Sequence, residues 1–168
     1  FNLRQIRADK PERILEVNSN ESIRLFTNRG AMLNLKVSDI PETRPAARAA
    51  NLVSIVELEK GETVVGAFPD RDEGSYLFCT TGGMVKRSKA ADYRVRGKRT
   101  AALNLKDKDA LLGAYPMPTM DILLVTEHGM CIRFAADSVP ETGRTAAGVI
   151  GTKLAPKEKV MWGTPGAD

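Results

Sequence analysis

The sequence predicts an all-β fold, a propeller-like arc of about three four-stranded units. Two observations carry this. Three segments align without a gap, and no stretch sustains helical periodicity for three turns. The segments are S-I-R-L-F-T-N-R-G-A-M-L-N-L at residues 22–35, S-Y-L-F-C-T-T-G-G-M-V-K-R-S at 75–88 and D-I-L-L-V-T-E-H-G-M-C-I-R-F at 121–134. Thr27, Thr80 and Thr126 coincide, as do Gly30, Gly83 and Gly129.

Each segment reads as a hairpin. An apolar strand runs to the Thr, a turn closes on a Gly suited to positive φ, and a second strand begins. Period-2 spacing puts Ile23, Leu25 and Thr27 on one face, with Tyr76, Phe78, Thr80 and then Ile122, Leu124, Thr126 as counterparts. A polar connector follows, then V-S-I-V-E-L, A-L-N-L or I-G-T-K-L as a third strand. The fourth strand is E-T-V-V-G-A at residues 62–67, D-A-L-L-G-A at 109–114 or K-V-M-W-G-T at 159–164. The expected divisions are a lead-in with a possible first strand at residues 1–20, then units at 21–70, 71–118 and 119–168. Ile14, Leu15 and Val17 are candidates for that first strand, after a polar lead at 4–13. Residues 37–40 and 135–139 read as short helical turns, and residues 70–74, 116–118 and 165–168 as linkers or an end. Three blades leave end faces open, which predicts a larger disc, association of copies, or special covering.

Composition narrows the function. Hydrophobic residues at 42% and charged residues at 27% exclude a disordered chain. Two scattered cysteines without a CxxC exclude a disulfide scaffold and fit a reducing cytoplasm. No apolar run reaches membrane-spanning length. The chain starts at Phe1 rather than Met, which predicts a processed product or a piece of a longer protein. The net charge is +4, and its distribution is uneven. Residues 86–106 hold Lys86, Arg87, Lys89, Arg94, Arg96, Lys98, Arg99 and Lys106 against one acid, Asp92, so the remainder is net negative. Arg44 and Arg48 in the first connector and Arg144 in the third extend the pattern, and Asn34, Arg87 and Arg133 share one strand position. Basic residues recurring on consecutive units make a track for phosphates, which fixes position without reading sequence.

Catalytic chemistry finds no residue set. There is no Gly-rich P-loop, and the single His128 sits in a hairpin turn. One His and two separated Cys do not make a zinc site. Cys79 and Cys131 align with apolar positions and are expected in packing, as are Met161 and Trp162. Asp70, Asp72 and Glu73 read as a solvated loop.

The ordered segments resemble the C-terminal domain of the DNA gyrase A subunit, and the related domain of its topoisomerase IV counterpart. The resemblance rests on F-T-N-R-G followed by L-K-V-S-D-I-P-E-T-R, on N-L-V-S-I-V-E-L-E-K-G-E, on the second and third hairpins, and on G-R-T-A-A-G-V-I-G-T-K-L at residues 143–154. It implies a β-pinwheel, a disc of four-stranded blades with strands exchanged between neighbours. It also implies a perimeter that binds and bends duplex DNA in support of ATP-dependent supercoiling. The matching perimeter residues are Arg44, Arg48, Lys86, Arg87, Arg94, Arg96, Lys98, Arg99, Arg133 and Arg144, with Lys89 added from the basic stretch. The partners implied are double-stranded DNA, the A-subunit cleavage domain and the ATPase B subunit, with self-association through open end blades. No cofactor is implied for this segment. The family's Q-R-R-G-G-K-G wrapping motif is missing, and Y-R-V-R-G-K-R at residues 93–99 is a distant counterpart in another unit. A β-repeat scaffold for protein association is the alternative reading.

Overall fold

A computed structural model describes residues 14–44, 50–117 and 121–165. Eleven strands among them form three antiparallel sheets in an open propeller-like arc. The first hairpin is β1 (Ser22–Thr27) and β2 (Ala31–Lys36), and β3 (Val64–Pro69) pairs on the other side of β1. The second unit contributes β4 (Ser75–Thr80), β5 (Met84–Lys89), β6 (Arg99–Ala101) and β7 (Leu111–Pro116). From the third come β8 (Asp121–Thr126), β9 (Cys131–Ala135), β10 (Val149–Ile150) and β11 (Val160–Pro165).

Two of the three sheets include a strand from the next unit. The first sheet is β3-β1-β2-β6 and the second is β7-β4-β5-β10, so each takes its fourth strand from the next unit. The third sheet is β11-β8-β9, three strands rather than the four expected. The donated strands also sit off the predicted runs. β6 precedes A-L-N-L, and V-S-I-V-E-L starts within a 3₁₀ turn (Leu52–Ser54) and forms no strand. A strand needs an edge to pair with, and that segment packs apolar side chains on the first sheet instead. The helical turns expected near residues 37 and 136 are 3₁₀ turns at Val37–Asp39 and Ala136–Ser138.

The hairpin glycines have two reasons to lack a side chain. Gly30, Gly83 and Gly129 have φ of 72°, 80° and 77°, the left-handed region. Added to that, the donated segment lies against the first two. Ala102 N–H bonds Gly30 O at 2.7 Å, and Gly151 N–H bonds Gly83 O at 2.8 Å. A Cβ on Gly83 would stand 2.8 Å from Thr152 O. The Thr three residues earlier caps the same turn. Its hydroxyl accepts the N–H of Ala31 at 3.4 Å, Met84 at 3.2 Å or Met130 at 3.3 Å.

Sheet faces alternate between two cores. Tyr76 and Phe78 of β4 face the first sheet, where they join Phe26, Phe68 and Tyr93. Phe26 meets Tyr76, Phe78 and Tyr93 edge-on, with ring centroids 5.1, 5.3 and 5.7 Å away. Leu77 and Cys79 face the third sheet and pack on Ile122, Leu124 and Val160. β4 is thus apolar on both faces, which explains its unbroken hydrophobic run. The other face of the first sheet, with Ile23, Leu25, Leu33 and Leu35, is covered by Leu15, Val17, Leu52, Ile55, Val56 and Leu58. Leu15 and Val17 act there as a cover and not as the strand expected of them.

Three expectations change in the third sheet and the first linker. Pairing skips Val65, Leu112 and Met161, so Trp162 lies opposite Val125 where Gly66 lies opposite Phe26 and Gly113 opposite Cys79. The last strand is therefore one residue out of step with the letter alignment. Trp162 is 49% exposed, and Met161 and Cys131 are exposed too, because no further sheet covers that face among the described residues. Asp70 and Asp72 are not a solvated loop. They grip Arg24, which is 1% exposed between the first two sheets and also donates to Ala90 O (2.7 Å) and Arg71 O (2.9 Å).

Arg24 is the buried member of this cluster; without it Asp70 and Asp72, 28% and 38% exposed, are taken up by solvent, and the buried Ala90 carbonyl loses its donor. Arg24→Ala should lower the unfolding free energy by about 1–3 kcal/mol in urea titrations. The two thiols should also separate. Cys131 should react with an alkylating reagent in the native state, while Cys79, whose thiol burial pushes up to about 12, should react only on unfolding.

Candidate nucleic-acid interface

The inner strands β3, β7 and β11 lie beside one another, which leaves β6 and β10 at the outer edge of the arc. The connectors that deliver them carry the basic residues. After β5 the chain makes a 3₁₀ turn (Ala90–Tyr93) and runs through residues 94–98 into β6. This run alternates. Tyr93 is buried and Val95 packs on the first core, while Arg94, Arg96 and Lys98 are exposed. Apolar side chains on one side of an extended run force its neighbours to the other. Lys98 O accepts Asn34 N–H at 2.9 Å and joins the end of the run to β2.

The basic residues expected on the rim divide into two groups. Arg94 is 81% exposed with Asp72 at 3.3 Å, and Arg133 is 75% exposed with Asp121 at 3.2 Å. Lys89 is exposed and lies 3.7 Å from Glu141. Arg44, Arg96 and Lys98 are exposed and join no ion pair among the described residues. The other group is engaged by partners within the fold. Lys86 is 1% exposed, so the expectation that it meets phosphate is corrected. Its ammonium donates to Tyr93 Oη (3.2 Å), Ala102 O (2.9 Å) and Arg144 O. Burial pushes Lys86 down to about 8, while its three acceptors match the three N–H bonds of the charged form.

Arg144 is a crosslink as well. Its guanidinium donates to Thr100 Oγ1 (2.9 Å) and to Ala101 O, which fastens the third connector to β6. Arg87 is mostly covered and reaches Asp137 at 3.3 Å. Arg99 makes a two-armed bond to the buried Glu62, at 3.0 and 2.8 Å. Glu62 also accepts from Thr27 Oγ1 (2.6 Å) and Glu59 N–H (2.8 Å). Burial alone would raise its carboxyl; the Arg99, Thr27 and Glu59 bonds outweigh that and hold it at about 2. Arg48 lies outside the described residues, as do the polar lead at residues 4–13 and most of the tail at 165–168.

One cluster escaped the sequence reading. Lys106, Lys108, Lys153, Lys157 and Lys159 line a cleft beside the β4–β5 turn. Lys106 ends the basic stretch at residues 86–106, but Asp107, Asp109 and Glu158 offset part of the charge and the lysines are divided between two separate segments, so the sequence does not mark them as one cluster. Among the described residues no group of three His, Cys, Asp or Glu is placed to hold a metal, and no helix is long and apolar enough to cross a membrane.

Comparison with known proteins agrees with this layout. Residues 23–69, 75–116 and 121–163 match the family described as DNA gyrase C-terminal domain, beta-propeller. The chain is 37% identical over 159 residues to the DNA gyrase A subunit of Lawsonia intracellularis, covering 91% of this chain and 19% of that protein. It is 35% identical over 155 residues to the DNA gyrase A subunit of Salmonella typhimurium, covering 89% and 18%. The chain thus spans about a fifth of the length of these curated relatives. A solved C-terminal domain of DNA topoisomerase IV superposes with a TM-score of 0.86 at 28% identity, covering 92% of this chain and 50% of that one.

The Glu62 clamp sets a pH dependence. Its folded value lies below the ordinary carboxylate value of 4.5, so its stabilisation is complete above that pH and is lost as pH falls toward 2. Thermal melts should show the wild type losing its advantage over Glu62→Gln across that window and not above it.

Proposed function

Because the chain belongs to the C-terminal β-pinwheel domain family of the DNA gyrase and topoisomerase IV A subunits, we propose that it binds and bends duplex DNA along its outer edge. The observation that carries this reading is the connector at residues 94–98. Tyr93 and Val95 anchor it, and Arg96 and Lys98 stand in solvent without an acidic partner among the described residues. Cations held out but left unneutralised are suited to phosphate oxygens. Arg94 and Lys89 widen the surface within the second unit, and Arg133 and Arg44 continue it on the neighbouring units. The weak exposed ion pairs of Arg94, Lys89 and Arg133 exchange readily for phosphate.

Contacts of this kind fix the duplex without reading bases, so binding is independent of sequence. A duplex following a curved edge bends at an elastic cost of about 1–6 kcal/mol, offset by contacts on successive units. In the parent protein this segment hands bent DNA to the A-subunit cleavage domain, and the ATPase B subunit drives supercoiling. The chain's own role is binding, in the cytoplasm, without a cofactor. A second reading, a scaffold for protein association, is favoured by the exposed outer face of the third sheet, where Trp162 and Cys131 flank Val125 and reach solvent.

A salt series separates the readings. Duplex affinity should fall steeply with salt, and Arg96→Glu with Lys98→Glu should reduce the slope of log K against log salt by about 2. Circular dichroism should be unchanged. Affinity and slope equal to those of the wild type would remove these residues from the interface.

A further inference from the structure

We propose that the cleft beside the β4–β5 turn is a phosphate-binding site separate from the connector at residues 94–98. The cleft has a volume of about 590 Å³ and opens between the second and third units. Its walls carry Lys106, Lys108, Lys153, Lys157 and Lys159, none of which joins an ion pair among the described residues. Two of its three acids are engaged internally. Asp109 Oδ1 accepts from Thr81 Oγ1 (2.9 Å) and from the N–H groups of Gly82 (2.7 Å) and Ala110 (2.8 Å). Glu158 accepts from Ala155 N–H at 2.9 Å and lies 3.4 Å from His128 Nδ1.

The first unit contains the same turn with its charges satisfied from within. Arg29 stands where the second unit has Gly82, and it donates to Glu59 Oε2 (3.1 Å) and Lys60 O (2.6 Å). Glu59 stands where the second unit has Lys106. In the second unit the bridging arginine is a glycine and its acid is a lysine. The internal pair is gone, and the wall it occupied is cationic and open. An anion from outside completes it.

Backbone geometry points the same way. The third residue of this turn is left-handed in every unit, at Gly61 (φ 77°), Lys108 (φ 62°) and Lys157 (φ 68°). Glycine takes that conformation freely, and lysine takes it under strain. Both strained lysines line the cleft. Strain retained at both walls of one cavity marks those side chains as held for a purpose beyond closing the turn. Phosphate fits the demand because it offers several acceptor oxygens to converging ammonium donors. The volume admits a short oligophosphate or one stretch of nucleic-acid backbone.

The test is a titration of the full chain with tripolyphosphate, followed by amide chemical shifts. Saturable shifts are expected at Gly82, Lys108, Thr152 and Lys157. Lys108→Gly combined with Lys157→Gly removes both charges and relieves the backbone, so folding is retained. It should weaken binding at least about tenfold, equivalent to losing one charge-assisted hydrogen bond. Displacement by excess duplex DNA would identify the source of the phosphate as nucleic-acid backbone; simultaneous binding would identify a free oligophosphate. Absent shifts at millimolar tripolyphosphate, or shifts undiminished in the double glycine variant, would overturn the site. Arg96→Glu with Lys98→Glu should leave tripolyphosphate binding unchanged, so this site stands or falls apart from the DNA reading; a loss there would also overturn it, by moving the binding to the connector.

Discussion

Each complete sheet in this molecule requires a strand that its own repeat does not supply. β6 closes the first sheet from the second unit, and β10 closes the second from the third. A donated strand must be carried across the gap between neighbouring sheets, and the connector that carries it runs along the outer edge. The placement of the basic residues follows from that crossing. Arg94, Arg96 and Lys98 lie on a segment that has to be extended, exposed on one side and anchored on the other. The same crossing explains the hairpin glycines, since Gly30 O and Gly83 O each receive the incoming backbone at close range.

Buried charges hold the crossings in place. Arg24 ties the first linker to the second sheet, Arg99 ties β6 to Glu62, and Lys86 bonds carbonyls from two successive connectors. Charges removed from water are costly unless every donor finds a partner, and incomplete arrangements are penalised heavily. These groups therefore define one register for each crossing more sharply than apolar contacts do. The aromatic cluster around Phe26 supplies apolar burial at the first interface, and the aliphatic cluster around Leu77 and Ile122 supplies it at the second. The charged crosslinks decide which connector lies where.

Much of the fold was legible in residue order. The hairpins are visible because Thr and Gly recur at fixed positions and each position has a local physical reason. Strand donation was not visible from spacing, because pairing between units depends on the distance between chain segments in space. The R-T-A-A at residues 99–102 and at 144–147 looks equivalent by letters. In the structure Ala101 pairs with Ala31 and Ile150 with Met84, so Gly148 takes the place of Arg99. Trp162 shows the same limit, since one skipped residue in the pairing moves it to a position held by glycine in the other units.

The sequence by itself determined the repeating hairpin, its turn chemistry and the concentration of positive charge in the second unit, because each depends on neighbours within a few residues. Tertiary structure decided which of those charges remain available. Lys86, Arg99 and Arg144 read like Arg96 and Lys98 in the chain, yet the first three are consumed by a carboxylate or by carbonyls brought from distant segments. It also brought together the lysine cleft, whose charges are split between two segments and partly offset by acids in the sequence, and are left open once Asp109 and Glu158 turn inward. Charge is a property of a residue, but its availability depends on which partners the fold brings within hydrogen-bonding distance.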